Sequence, residues 1–145
     1  MPSRTITIPA RLDQIKLLGK LVEQEAKVAG FDARTTYACQ LAIGEACENI
    51  IIHGYRGESE GLITLTISVQ PGEMMLELCD NAPPFNPARK PTLRELDVDN
   101  PPVGGLGLII IHKVMDTVRY ERTDTQNCLH LSKRITPSPQ HRHAH

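Results

Sequence analysis

The chain has no long apolar run, no closely spaced cysteine pair, no strong charge of either sign and no P-loop. Each absence narrows the reading. Without a run of about 20 apolar residues there is no transmembrane helix. The first residues, Met1-Pro2-Ser3-Arg4-Thr5-Ile6-Thr7-Ile8-Pro9, lack the apolar core of an export signal and read as a short strand. Lys and Arg number 16 against 17 Asp and Glu, a net charge of −1. That balance gives no electrostatic reason to expect a nucleic-acid or membrane partner. The four cysteines, Cys39, Cys47, Cys79 and Cys128, include no Cys-x-x-Cys. Three fall in apolar stretches, so the expectation is buried free thiols in a reducing cytoplasm and not a zinc site. Neither the P-loop pattern nor the Gly-x-Gly-x-x-Gly dinucleotide fingerprint occurs, and no internal repeat is visible.

What is present is an ordinary globular composition: 145 residues, 40% hydrophobic and 23% charged. The length suits one domain with a sizeable core. Residues 5–8 alternate as a strand, and 10–29 carry Leu12, Ile15, Leu18, Val22 and Ala26 at helical spacing up to a stop at Gly30. Asp32 is placed to cap a second helix over 33 to about 53, ended by Gly54. Residues 61–69 and 73–80 form a hairpin around Pro71-Gly72. Residues 81–103 are irregular and hold six of the 11 prolines, with room for a helical turn around Leu93-Arg94-Glu95-Leu96. A loop that long within a compact domain is a functional lid or a disordered segment. A helix over 108–115 and strands over 117–122 and 128–135 follow. Residues 1–135 thus make one domain, and 136–145 a polar tail expected to be disordered. Strands separated in this order imply an α+β sandwich, with helices on one face of a mostly antiparallel sheet.

The second predicted helix holds the most informative turn, Glu45-Ala46-Cys47-Glu48-Asn49. At about 100° per residue, Ala38, Leu41, Ala42, Glu45, Asn49 and Ile52 share one side. Ile43, Ala46, Cys47 and Ile50 lie opposite, and Gln40, Gly44 and Glu48 fill the wedge between. Glu48 is therefore expected in solvent and Glu45 out of it. A polar group buried without a partner costs roughly 2–7 kcal/mol. A metal, a nucleotide or a buried network should meet this pair.

Three motifs have chemical potential. Glu45 can serve as general base beside a phosphate, its pKa raised by apolar surroundings, and the Asn49 carboxamide oxygen is a hard ligand suited to Mg²⁺. A buried Glu–Asn hydrogen bond is the structural alternative. Asp80 keeps step with Leu76 and Leu78, so it points into the packed layer at the end of its strand. There it can accept from an exocyclic amine such as that of adenine, or open a turn with Asn81. Gly104-Gly105-Leu106-Gly107 permits close backbone approach of a phosphate at a helix start, or acts as a hinge.

These three elements, in this order, resemble the boxes of the Bergerat-fold ATPases, the superfamily of gyrase, the ninety-kilodalton heat-shock chaperone, sensor histidine kinases and mismatch-repair ATPases. Within it the chain looks like the bacterial anti-sigma factor serine/threonine kinases. Glu45 through His53-Gly54-Tyr55 is similar to their N box, Asp80 through Phe85-Asn86-Pro87 to their first glycine box, and Gly104 through Leu108, with Met115-Asp116, to their second. The resemblance spans about residues 6–135. It implies ATP and Mg²⁺ as cofactors, with Glu45 as catalytic base, Asn49 on Mg²⁺ and Asp80 on the adenine amine. It further implies nucleotide contacts from Ala82, Phe85, Gly104, Gly105, Leu106, Gly107 and Leu108. The implied reaction moves the γ-phosphoryl group of ATP to a serine or threonine of an anti-sigma factor antagonist protein. A sigma factor or equivalent is the alternating partner, and a homodimer is common. An ATP-dependent binding switch without transfer is the alternative. One position departs from the pattern: Ala82 stands where the first box has glycine, so its backbone either adopts an ordinary conformation or rebuilds the pocket. Arg89, Lys90 and Arg94 are candidates to meet phosphate charge or are solvated charges. His141, His143 and His145 can chelate a metal or belong to a solvated tail.

Overall fold

The structure is a computed structural model that describes residues 3–84 and 105–134. Strand β1 (Ser3–Pro9) leads through a 3-10 turn (Leu12–Gln14) into α1 (Ile15–Ala29) and α2 (Ala33–Asn49), which widens into a π-helical turn (Ile50–Gly54). Then come β2 (Leu62–Gln70), β3 (Glu73–Asp80), α3 (Gly105–Val114), β4 (Thr117–Arg122) and β5 (Asn127–Arg134). The strands form one antiparallel sheet in the order β1-β2-β3-β5-β4.

Period-2 alternation decides which face is covered. Ile8, Ile63, Leu65, Ile67, Leu76, Leu78, Leu129 and Leu131 form one buried cluster with Leu18 and Val22 of α1, Ile43 of α2 and Ile111 of α3. The opposite face is polar, with the cross-strand pairs Thr5–Thr66 and Thr7–Thr64 joined through their hydroxyls. This is the expected α+β sandwich: three helices over one face of an antiparallel sheet.

Local chemistry sets the helix ends. Asp32 accepts from the Thr35 N–H at 2.9 Å, a cap of the kind that contributes about 1 kcal/mol. Gly30 ends α1 at φ +84°. Two expectations shift. The second helix does not stay α-helical to residue 53, because the Tyr55 N–H reaches back to the Ile50 carbonyl at 2.8 Å, one residue wider than an α turn. The third helix begins at Gly105 and not at 108, so its glycines lie inside the first turn.

The cysteine expectation is half wrong. Cys39 and Cys47 are free and buried, but Cys79 and Cys128 form a disulfide. They are 49 residues apart in sequence and directly paired in register, because β5 inserts between β3 and its own sequence neighbour β4. Linear spacing hides such a pair until the strand order is known. Phe85, Gly104, the predicted lid with Arg89, Lys90 and Arg94, and the histidine tail all lie outside the described residues.

Candidate functional site

Three chain segments meet where α2 ends. Asn49 is its last residue and is only 6% exposed, with its Nδ2 unpartnered among the described residues. Glu45, one turn earlier, is half-buried, while Glu48 faces solvent as its helical phase requires. Burial raises the Glu45 pKa from its ordinary value, and the nearby Glu48 charge adds to the shift. The first turn of α3 closes over this pair. A Cβ built on Gly107 would stand 2.9 Å from Glu45 Oε2 and 3.2 Å from Asn49 Nδ2, so any larger residue here would push the Glu45 carboxylate or the Asn49 amide aside. A short helix N-terminus thus abuts a carboxylate and an unmatched buried carboxamide.

The π-helical turn follows Asn49 directly, and such turns are frequent at functional sites. It also seats the exit of β3. A Cβ on Gly54 would lie 3.3 Å from the Ala82 methyl, so Ala82 packs flat on that turn and is itself buried. Tyr55 fastens the junction: its hydroxyl donates to the Leu62 carbonyl at 2.7 Å and accepts from the Asn81 N–H at 2.9 Å.

Asp80 occupies the end of β3 on the helix-covered side, as alternation predicts, and is 4% exposed. Its Oδ1 accepts from the Ala82 N–H and from Asn127 Nδ2, each at 2.9 Å. Desolvation raises its pKa, against the opposing pull of those two donors and the Arg122 charge. Asn127 also donates to the Ala82 carbonyl at 2.9 Å and the Pro83 carbonyl at 3.2 Å. Its own Oδ1 accepts from Arg122 at 3.2 Å and from the Tyr120 hydroxyl, and Arg122 holds the Ala82 carbonyl at 3.1 Å. Ala82 has a negative φ, since Arg56 is the only described non-glycine residue with a positive one. The alanine therefore fits an ordinary backbone region, stabilised by these contacts.

Of the residues singled out in the sequence, Glu45, Asn49 and Gly107 are brought together, and Asp80 and Ala82 are joined to them through Gly54. Gly105 lies in the first turn of α3, and Leu108 is buried. Sequence reasoning quoted Tyr55 only as the end of the N box, without a role, and gave none to Tyr120, Arg122 or Asn127. Asn127 was legible in principle: it stands one strand period before the inward Leu129 and carries a carboxamide into the layer that Asp80 enters.

An antiparallel sheet with three covering helices, a buried Asp at a central strand end and a Glu–Asn turn under a glycine-started helix define a class. The profile of the histidine kinase-like ATPase domain matches residues 8–133, and the chain belongs to that family. Among named relatives, the serine-protein kinase RsbW of Listeria monocytogenes is 28% identical over 120 residues, covering 79% of this chain and 76% of that protein. The serine-protein kinase RsbW of Bacillus mycoides is 29% identical over 117 residues, covering 77% and 72%. The structure of the RsbU and RsbW domains of Rv1364c from Mycobacterium tuberculosis aligns with a TM-score of 0.68 at 18% identity, covering 95% of this chain and 34% of that one. The mycobacterial sensor histidine kinase MprB aligns at 0.53 and 13% identity, covering 94% and 99%. At these identities the structural likeness establishes the fold.

Proposed function

We propose that the protein is a cytoplasmic, ATP-dependent serine/threonine protein kinase of a partner-switching system. Its substrate is a small antagonist protein, and its alternating partner is a sigma factor or an equivalent regulator. The observation that carries this reading is the buried Asn49 carboxamide with an unmatched donor, one turn from Glu45 and beneath the first turn of α3. The names of the relatives, serine-protein kinases, support the same reaction class.

The donor set fits Mg-ATP. The Asn49 oxygen is a hard ligand for Mg²⁺, and its Nδ2 suits an anionic phosphate oxygen. When bound, Mg²⁺ neutralises charge that develops on the phosphates. The α3 N-terminus offers N–H groups and a positive dipole end to the same phosphates. Both donors to Asp80 among the described residues go to Oδ1, so Oδ2 is the oxygen assigned to the adenine amine. Glu45 accepts the proton of the partner's serine or threonine hydroxyl. The hydroxyl oxygen bonds to the γ-phosphorus, the bond from that phosphorus to the β,γ-bridging oxygen breaks, and ADP departs with those electrons. The raised Glu45 pKa makes the carboxylate a stronger base for this step.

The alternative, nucleotide-dependent binding without transfer, is motivated by Ala82, and the negative φ there supports an ordinary backbone at that position. Mass spectrometry decides between the two. Incubation with Mg-ATP and a cognate antagonist domain should yield phosphoserine or phosphothreonine, and Glu45→Ala should slow its formation at least about 100-fold. Complex formation with no added phosphate would favour the binding switch, and transfer retained in Glu45→Ala would refute the assigned base.

A further inference from the structure

Two chemistries stand back to back on β3 and β5. Asp80 faces Asn127 on the helix-covered side, and the preceding register pair, Cys79 and Cys128, faces the open side. Side chains alternate, so the disulfide shares backbone with the Asp80–Asn127 pair without entering its pocket. The two Cα atoms are 4.2 Å apart, the close spacing of a non-hydrogen-bonded antiparallel pair. Asp80 ends β3 and Asn127 begins β5, so theirs is the last pair of that ladder. Terminal pairs open most readily. The one covalent link between the strands among the described residues is placed a single register step before that end.

What the link fixes is strand separation where it matters for the nucleotide reading. Asn127 Nδ2 must stay within 2.9 Å of Asp80 Oδ1 to orient the carboxylate, and the same amide holds the Ala82 and Pro83 carbonyls. Strands free to part at this end loosen all of those bonds together. Thr64 and Glu121 flank the cysteines on the neighbouring strands. The sulfur-bearing residues are 9% and 7% exposed on this polar face.

We propose that Cys79–Cys128 is a thiol–disulfide modification site whose oxidised form tightens adenine-nucleotide binding by pinning Asp80 and Asn127 in register. The inference rests on the nucleotide-site reading above. A small dithiol supplies the chemistry. Its thiolate attacks one protein sulfur, the S–S bond breaks, and the departing cysteine thiolate takes a proton. The second thiol then displaces the first cysteine, leaving two protein thiols and the cyclic disulfide of the reagent. Two electrons pass to the protein, and a disulfide oxidant such as oxidised glutathione drives the reverse. Cys39 and Cys47 do not compete, because both are fully buried and burial pushes their thiols up to about 12.

The test uses the full chain in both redox states. Thiol alkylation after unfolding should tag four cysteines in the reduced protein and two in the oxidised protein. Titration with a fluorescent adenine nucleotide and Mg²⁺ should show the reduced form binding about fivefold or more weakly, the lower end of couplings between linked sites. The double variant Cys79→Ser/Cys128→Ser should match the reduced form under both conditions. By reciprocity, saturating nucleotide should raise the oxidised-to-reduced ratio in a thiol buffer by the same factor. Four tagged cysteines after oxidation, or equal affinities in the two forms, would overturn the proposal and leave the kinase reading standing. Absence of adenine-nucleotide binding in both forms would overturn the kinase reading and this inference with it.

Discussion

Asp80 and Asn49 are almost equally buried, at 4% and 6% exposure, yet they are treated oppositely by their surroundings. Asp80 is braced: the Ala82 N–H and Asn127 hold one oxygen, and Arg122 and Tyr120 hold Asn127. Asn49 is left with an unpartnered Nδ2 among the described residues. A braced polar group keeps one orientation with no ligand present, which suits recognition of a fixed pattern such as a base edge. An unmatched one holds desolvation cost that a ligand can relieve, which suits an ion and phosphates that come and go. On the proposed function, Asp80 marks a braced, base-reading end and Asn49 an unsatisfied, reacting end, joined where Ala82 rests on the turn that follows Asn49.

The largest expected effect breaks the reacting end. Glu45→Ala should reduce phosphoryl transfer by about 10²–10⁴-fold, the usual contribution of a general base. Nucleotide affinity should change little, which a titration beside the mass-spectrometric assay would check. At the reading end, Asp80→Asn should weaken adenine-nucleotide binding by about 10- to 100-fold, the scale of a lost hydrogen bond to a charged group. The variant should fold, because an amide oxygen still accepts from the Ala82 N–H and Asn127. A collapsed melting temperature would show that the brace depends on the charge.

Stability measurements sharpen the contrast further. Asn127→Leu should cost about 2–3 kcal/mol in denaturant unfolding, since it leaves Asp80 and the Ala82 carbonyl short of a donor. Asn49→Leu, of similar size, should leave stability unchanged or raise it by up to about 1 kcal/mol, while removing the Mg²⁺ dependence of nucleotide binding. Equal losses in the two variants would erase the distinction. The smallest effect is in pH dependence. Asp80 has a raised pKa in the folded state, so its contribution is most favourable below the unfolded value and is lost as pH rises through the folded one. Asp80→Asn should therefore gain stability relative to wild type as pH rises from about 3 to 7, a trend that paired unfolding curves would resolve.

Much of this contrast is legible in the sequence because it rests on short periodicities. Helical phase separates Glu45 from Glu48, and strand phase turns Asp80 inward with Leu76 and Leu78. The strands at Glu73–Asp80 and Thr117–Arg122 follow from alternation and turn residues alone. The missed features all depend on which distant segments become neighbours. Asn127 partners Asp80, and Cys128 partners Cys79, only because β5 inserts between β3 and β4. The wider turn after Asn49 also escapes periodicity, since Ile50, Ile51 and Ile52 suit a continuing helix. Its end is held by Tyr55, which bonds to Leu62 and Asn81, partners outside the helix.

The central claim is that the two ends together bind Mg-ATP. Calorimetric titration of the purified chain with ATP, with and without Mg²⁺, and with GTP under the same conditions tests it most directly. The account predicts saturable ATP binding that weakens without Mg²⁺, and far weaker GTP binding, because the 6-oxo group of guanine offers Asp80 no donor. No detectable ATP binding, or equal binding of both nucleotides, would contradict it.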